Sequence, residues 1–141
     1  MRTPLTFWLV DDDKEDLHLF KEALQEISER TQFTASIDCI DLMDILHQSE
    51  LPDVLFLDIN MSKKNGMEFL EEIKQDPKLK DIPVVIYSTS LRKADIDRAF
   101  SLGAHFYITK PSTFEDIIEV LSKMLTMDWK YGKPDINNFY L

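Results

Sequence analysis

The fold class this sequence predicts is α/β, a doubly wound parallel sheet flanked by helices, and three observations predict it. Short apolar runs recur along the chain: LTFWLV, VLFL, VVIY and HFYIT. Such runs, set between helical patterns, read as parallel strands buried on both faces. Segments with apolar residues at helical spacing alternate with the runs, giving five β-then-α units, the alternation that builds a parallel sheet. Most of the runs also end in polar residues: Asp11-Asp12, Asp58, Ser88-Thr89 and Lys110-Pro111. Ligands of open parallel sheets bind just beyond the carboxyl ends of the strands. Three carboxylates, a hydroxyl and an ammonium are therefore expected on one edge.

The elements follow in order. Residues 5–10 read as the first strand. Residues 14–30 carry Leu17, Phe20, Ala23, Leu24 and Ile27 at helical spacing, with Asp12 or Asp13 placed to cap the helix and complement its dipole. Residues 33–40 read as a second strand, and Asp41 precedes a short helix holding Leu42, Ile45 and Leu46. Pro52 punctuates before a third strand, 53–57. MSKKNG is a polar loop whose Asn65-Gly66 marks a turn, and a third helix spans 66–75. Pro83 opens a fourth strand, 83–87. Ile96, Ala99 and Phe100 mark a fourth helix that Gly103 is suited to end. A fifth strand, 104–109, leads into a helix holding Phe114, Ile117, Ile118, Leu121 and Leu125. Residues 128–141 lose the periodicity and read as a tail that packs through Trp129, Tyr131, Phe139 or Tyr140.

Whole-chain properties bound the function. The 141 residues fit one domain. Net charge is -10, with 26 acidic against 16 basic residues. Such a surface disfavours nucleic acid and anionic lipid as direct partners, and for most of the charges the plain role is solubility. Cys39 is the single cysteine, so no disulfide forms within the chain; it reads as a small buried hydrophobe, consistent with a reducing cytoplasm. No signal peptide is expected, because Asp11 arrives too soon for an apolar core and cleavage site. No apolar stretch approaches the roughly 20 residues that span a bilayer.

Asp11, Asp12 and Asp58 repel one another unless something neutralises them. Hard oxygen ligands at a mouth open to water suit Mg²⁺. Lys110 supplies a point charge for a phosphoryl group, and the Ser88 hydroxyl a hydrogen bond. Asp58 is placed to act as the nucleophile and form an acyl phosphate. Taken singly, each piece has a plain reading: the aspartates as a solvated turn and cap, Ser88 and Thr89 as helix-entry residues, Lys110-Pro111 as an exposed turn. Their joint occurrence at strand ends favours the chemical reading.

WLVDDD, PDVLFLDINMSKKNG, IPVVIYSTS and GAHFYITKP together resemble the receiver domain of two-component response regulators, over residues 5 to about 127. The resemblance implies a flavodoxin-like fold with five strands in the order 2-1-3-4-5 and five helices. It implies a receiver domain at 1–127 and a tail at 128–141 without a separate output domain. Asp58 becomes the phosphoacceptor. Asp12 is implied to bind Mg²⁺ directly, Asp11 through water, and the Asn60 carbonyl to complete the protein ligands. Ser88 is the implied switch hydroxyl, Lys110 the phosphate-pairing lysine and the Thr89 N–H a further donor. Tyr107 falls at the switch aromatic, though a strand tyrosine using its hydroxyl at the rim fits it equally. The Lys110–Pro111 bond is often cis in that family, which makes Pro111 a cis-proline candidate. Implied partners are a histidine kinase or histidine phosphotransfer protein and a downstream protein, with a homodimer through the fourth- and fifth-helix faces left open. Ser62 departs from the family, standing where proline is common, so a less rigid loop is expected there.

The enzyme alternative is a phosphatase of the haloacid-dehalogenase type. It needs a second Asp two residues after the nucleophile, where this chain has Asn60, and its later acidic pair follows the lysine. A flavin carrier is disfavoured by three aspartates where its phosphate would sit. A receiver that is never phosphorylated is the third reading. His18, His47 and His105 are scattered, and Lys63-Lys64 is too small a basic patch to read as a nucleic-acid site.

Overall fold

Residues of a strand buried on both faces alternate between two cores, and β1 (Thr6–Val10) shows this directly. Phe7 and Leu9 face one side with Val54, Phe56, Val85, Tyr87 and Ile108. Trp8 and Val10 face the other with Leu55, Leu57, Val84, Ile86 and Tyr107. The computed structural model describes residues 5–129 and 135–141. Besides β1 it contains β2 (Gln32–Ser36), β3 (Val54–Leu57), β4 (Val84–Ser88) and β5 (Phe106–Thr109). The sheet is wholly parallel, in the order β2-β1-β3-β4-β5.

Five helices cover the faces: α1 (Lys14–Ile27), α2 (Leu42–Gln48), α3 (Gly66–Gln75), α4 (Lys93–Leu102) and α5 (Phe114–Thr126). α1 and α5 lay Leu17, Phe20, Leu24, Ile117 and Leu121 on the first core. α2, α3 and α4 supply Leu42, Leu46, Leu70, Ile73 and Ala99 to the second. Each fully buried Leu, Ile or Phe contributes roughly 1.5–3 kcal/mol relative to exposure, so the scaffold beneath the site is held by both layers. The caps follow the residue chemistry. Asp13 Oδ1 accepts from Glu15 N at 2.9 Å and opens α1. Gly103, at φ 105°, closes α4 in the left-handed conformation.

Strand register sets the functional edge. Val10 pairs with Leu57, Leu57 with Ile86, and Ser88 with Thr109. The ladder runs on into the polar residues. Asp11 N donates to Ser36 O (2.9 Å), Asp58 N to Val10 O (3.0 Å) and Lys110 N to Ser88 O (2.8 Å). The sheet itself thus fixes the backbones of Asp11, Asp58 and Lys110.

Three expectations change. The second strand stops at Ser36 rather than 40, because Asp38 Oδ1 takes Ile40 N at 3.0 Å in a turn and Asp41 adopts φ 62°. α1 ends at Ile27, not at 30, where the Ser28 and Thr31 hydroxyls bond each other at 2.7 Å and compete with further helix. The Lys110–Pro111 bond is trans, since no described peptide bond is cis. Trans is the intrinsically favoured X–Pro form by about 0.5–1 kcal/mol, and the lysine reaches the carboxylates from this backbone.

The segment after α5 packs against both faces of β5. The Trp129 ring meets Phe106 edge-on at 5.9 Å, and its indole N–H donates to Met124 O at 3.0 Å. A sixth helix, α6 (Ile136–Phe139), buries Phe139 in the opposite core. Tyr140 pairs with Tyr107 in a parallel bridge. Trp129, Phe139 and Tyr140 thus make the expected packing, whereas Tyr131 lies outside the described residues. No helix among the described residues is long and apolar enough to cross a membrane.

Candidate functional site

The lysine after β5 reaches back across the strand ends to the aspartates. Lys110 Nζ lies 2.7 Å from Asp11 Oδ2, 2.7 Å from Asp16 Oδ2 and 3.1 Å from Asp58 Oδ2. The Tyr87 ring lies beside the ammonium, 5.9 Å from its centroid. Burial alone would lower the Lys110 pKa, but its contacts with Asp11 and Asp16 and the charge of Asp58 outweigh that and raise it. The lysine is a fixed cation.

Asp11 is fully buried. Its Oδ1 accepts from Asp13 N at 2.9 Å. Its Oδ2 lies 2.7 Å from the Lys110 ammonium and meets no other donor among the described residues. Burial pushes this carboxyl up to about 6, with Lys110 and the Asp13 N–H only partly opposing. The same contact therefore favours the charged lysine while leaving the aspartate short of compensation, because desolvation dominates for Asp11. Asp58 is 5 % exposed and takes Asn60 N on Oδ1 at 3.0 Å.

Oxygens of Asp11, Asp12 and Asp58 lie within 4.8 Å of one another. Hard, partly water-facing carboxylates gathered this closely fit a divalent cation of the Mg²⁺ or Mn²⁺ kind. Asp12 is exposed, and its Oδ2 accepts from Ser62 N at 2.9 Å and Ser62 Oγ at 3.1 Å. Ser62 thus ties its loop to Asp12 with two donors that a proline would lack. The expectation of a looser loop is not what this geometry gives.

Ser88 is fully buried. Its Oγ accepts from Asn60 Nδ2 at 3.2 Å and from Ser90 N at 3.2 Å. Thr89 is exposed at the rim. Tyr107 is fully buried and donates its hydroxyl to Ser90 O at 2.9 Å, so it is not a rim tyrosine. Burial, ahead of its hydrogen bonds, raises its pKa. Asp11, Asp12, Asp58, Asn60, Ser88 and Lys110 thus share one edge, with Thr89 beside them and Tyr107 linked to Ser88 through Ser90.

Sequence reasoning missed Asp16 and Gly66. Asp16 sits in the first turn of α1, where acidic residues are ordinary dipole partners, and only its reach to Lys110 sets it apart. Gly66 lets α3 approach β3: a Cβ there would lie 2.3 Å from Asp58 O and 2.7 Å from Ile59 Cα. Ser90 relays between Ser88 and Tyr107.

The model of the response regulator receiver domain matches residues 7–122. The chain belongs to the response regulator receiver family. The response regulator Rcp1 of Synechocystis sp. is 34% identical over 124 residues, 84% of each chain. A chemotaxis protein CheY homolog of Campylobacter jejuni is 28% identical over 117 residues, 83% of this chain and 89% of that one. Among solved structures, the phosphorylated cyanobacterial phytochrome response regulator RcpA superposes with TM-score 0.79 at 35% identity, covering 86% of this chain and 91% of that one. The Mn(2+)-bound form of Rcp1 gives TM-score 0.81 at 32% identity, covering 89% and 97%. Receiver domains of this kind are signalling proteins that control output by phosphorylation, and the acidic cluster of this one fits a divalent cation.

Proposed function

We propose that this receiver is a Mg²⁺-dependent switch whose Asp58 takes a phosphoryl group from a histidine kinase or histidine phosphotransfer protein. The observation that carries the reading is the Lys110 ammonium 3.1 Å from Asp58 Oδ2, beside the carboxylates of Asp11 and Asp12. An Asp58 oxygen forms the new O–P bond as the P–N bond to the donor histidine breaks, and the electron pair stays on the imidazole. Lys110 and the Thr89 N–H hold phosphoryl oxygens in place, and positioning of this kind supplies most of the catalysis in phosphoryl transfer. Asp11, Asp12, Asp58 and the Asn60 carbonyl would hold Mg²⁺, which when bound neutralises phosphoryl charge.

The Ser88 hydroxyl turns toward the new phosphate and fixes Tyr107 in its inward position, reshaping the face of α4, β5 and α5. This is a shift between two packings, driven by contacts available in only one. Self-phosphorylation and dephosphorylation are the only chemistry in the proposal. Residues 1–127 form the receiver and 128–141 an appendage without output activity of its own. The protein works in the cytoplasm by contact with a downstream protein, alone or as a homodimer. Asn60 in place of a general acid, with its amide donating to Ser88, disfavours the phosphatase alternative.

The test is incubation with acetyl phosphate and Mg²⁺, read by intact mass. One added phosphoryl, absent without Mg²⁺ and absent in Asp58→Asn, is the expected result. No addition, or addition that survives Asp58→Asn, would overturn the proposal.

A further inference from the structure

The free flank of β5 is not bare. Leu141 N donates to Tyr107 O at 2.9 Å, and Tyr140 pairs with Tyr107 in parallel. The Tyr140 hydroxyl bonds the Thr109 hydroxyl at 2.8 Å. Phe139 inserts between α4 and β5, with ring centroids 5.2 Å from Phe100 and 6.4 Å from Tyr107. Main-chain pairing to a sheet edge, with one side chain filling a pocket, is how extended peptides are recognised by strand addition.

This docked segment connects to the phosphoryl site through an unbroken set of contacts. Phe139 and Tyr140 pack on the Tyr107 ring. The Tyr107 hydroxyl holds Ser90 O, Ser90 N holds Ser88 Oγ, and Ser88 Oγ takes the amide of Asn60, two residues after Asp58. Tyr107 is wholly buried while the segment is in place. Swinging its ring outward would drive it into the space that Phe139 and Tyr140 fill.

We infer that residues 135–141 are a built-in ligand of the α4–β5 face that holds Tyr107 inward and so favours phosphorylation of Asp58. The inference rests on the phosphoacceptor reading above and adds a second occupant to the same switch. Linkage is reciprocal: a segment that stabilises the phosphorylated packing is itself held more tightly once the phosphoryl is on. A partner that binds this face by strand addition has to displace residues 140–141 first.

The experiment uses the whole chain in two variants. Phe139→Ala empties the pocket. Leu141→Pro removes the one N–H that pairs with Tyr107 and leaves the core untouched, which covers the case in which Phe139→Ala fails to fold. Labelling at fixed acetyl phosphate and Mg²⁺ is read by intact mass, and amide exchange over 135–141 by mass spectrometry.

The expected result is labelling at equilibrium lowered about five-fold or more in the folded variants, the low end of ordinary coupling. Exchange over 135–141 in the unchanged protein slows by a matching factor on phosphorylation. Unchanged labelling in both variants, or exchange unaffected by phosphorylation, overturns the inference while leaving the phosphoacceptor reading intact. Protection that rises with protein concentration overturns docking within one chain in favour of a second copy. An unchanged protein that takes no label at all brings down both readings.

Discussion

Asp16 Oδ2 lies 2.7 Å from Lys110 Nζ, closer than Asp58 Oδ2 at 3.1 Å. An ammonium has three N–H donors, and here three carboxylates crowd it. A phosphoryl group on Asp58 has to draw a donor away from one of them. Asp16, 30% exposed, is also a further negative charge facing an incoming anion. Asp16→Asn keeps the shape and removes the charge. Discounted for exposure, the effect is about 1 kcal/mol, roughly a five-fold rise in labelling by acetyl phosphate. Intact mass at fixed time checks it; a fall would show that Asp16 steadies the lysine rather than competing for it.

Gly66 is required by close approach rather than by its dihedral angles. The atoms that a Cβ would strike, Asp58 O at 2.3 Å and Ile59 Cα at 2.7 Å, are backbone. Gly66→Ala has to push α3 away from the end of β3. The expected cost is about 1–3 kcal/mol, read as a lower urea midpoint at unchanged slope, together with weaker labelling of Asp58. A variant as stable as the parent would show that α3 slides freely.

Asp11 sets a pH dependence. Burial raises its pKa from 3.8 to about 6, so the native state holds this proton more tightly than the unfolded chain. In the absence of a cation, this group adds stability as pH falls from about 6 toward 4, and that gain is lost as pH rises through the same window. A divalent cation needs the ionised form and competes with the proton. Mg²⁺ should therefore raise Tm more near pH 8 than near pH 5, measured by thermal unfolding at matched ionic strength. Equal shifts would remove Asp11 from the ligand set.

Ser62 donates twice to Asp12 Oδ2, on a carboxylate that would also hold the proposed cation. Ser62→Ala removes one donor and Ser62→Pro both. Mg²⁺ affinity, followed by titration calorimetry, should rise a few-fold in Ser62→Ala, since an exposed hydrogen bond of this kind is worth about 1 kcal/mol. Weaker binding would mean that Ser62 holds Asp12 in the binding position.

The residues at strand ends were legible because a parallel sheet exposes whatever follows an apolar run, and Asp11, Asp58 and Lys110 all follow one. Distances across the edge were not legible. Asp16 looks like any acidic residue in a first turn until the fold brings residue 110 beside it. Ile37, Cys39 and Ile40 are apolar and extend the apparent second strand, yet only Cys39 is buried there, while Ile37 and Ile40 are exposed. The pairing of residue 140 with residue 107 has no local periodicity to betray it. α6 is four residues long, too short for a pattern to declare itself. The trans Lys110–Pro111 bond shows the limit of carrying one backbone detail from a family to a member.

The bridge between Tyr107 and Tyr140 also bears on how copies of this protein tolerate crowding. An unpaired sheet margin is a template on which further strands accrete, and proteins blunt such margins by covering or charging them. With Leu141 seated on Tyr107 O, that margin is partly closed, and β2 remains the more open side, carrying the polar Gln32, Thr34 and Ser36. Unwanted stacking is thus resisted by a different device on each side: a polar sequence on one, a strip of the chain's own backbone on the other.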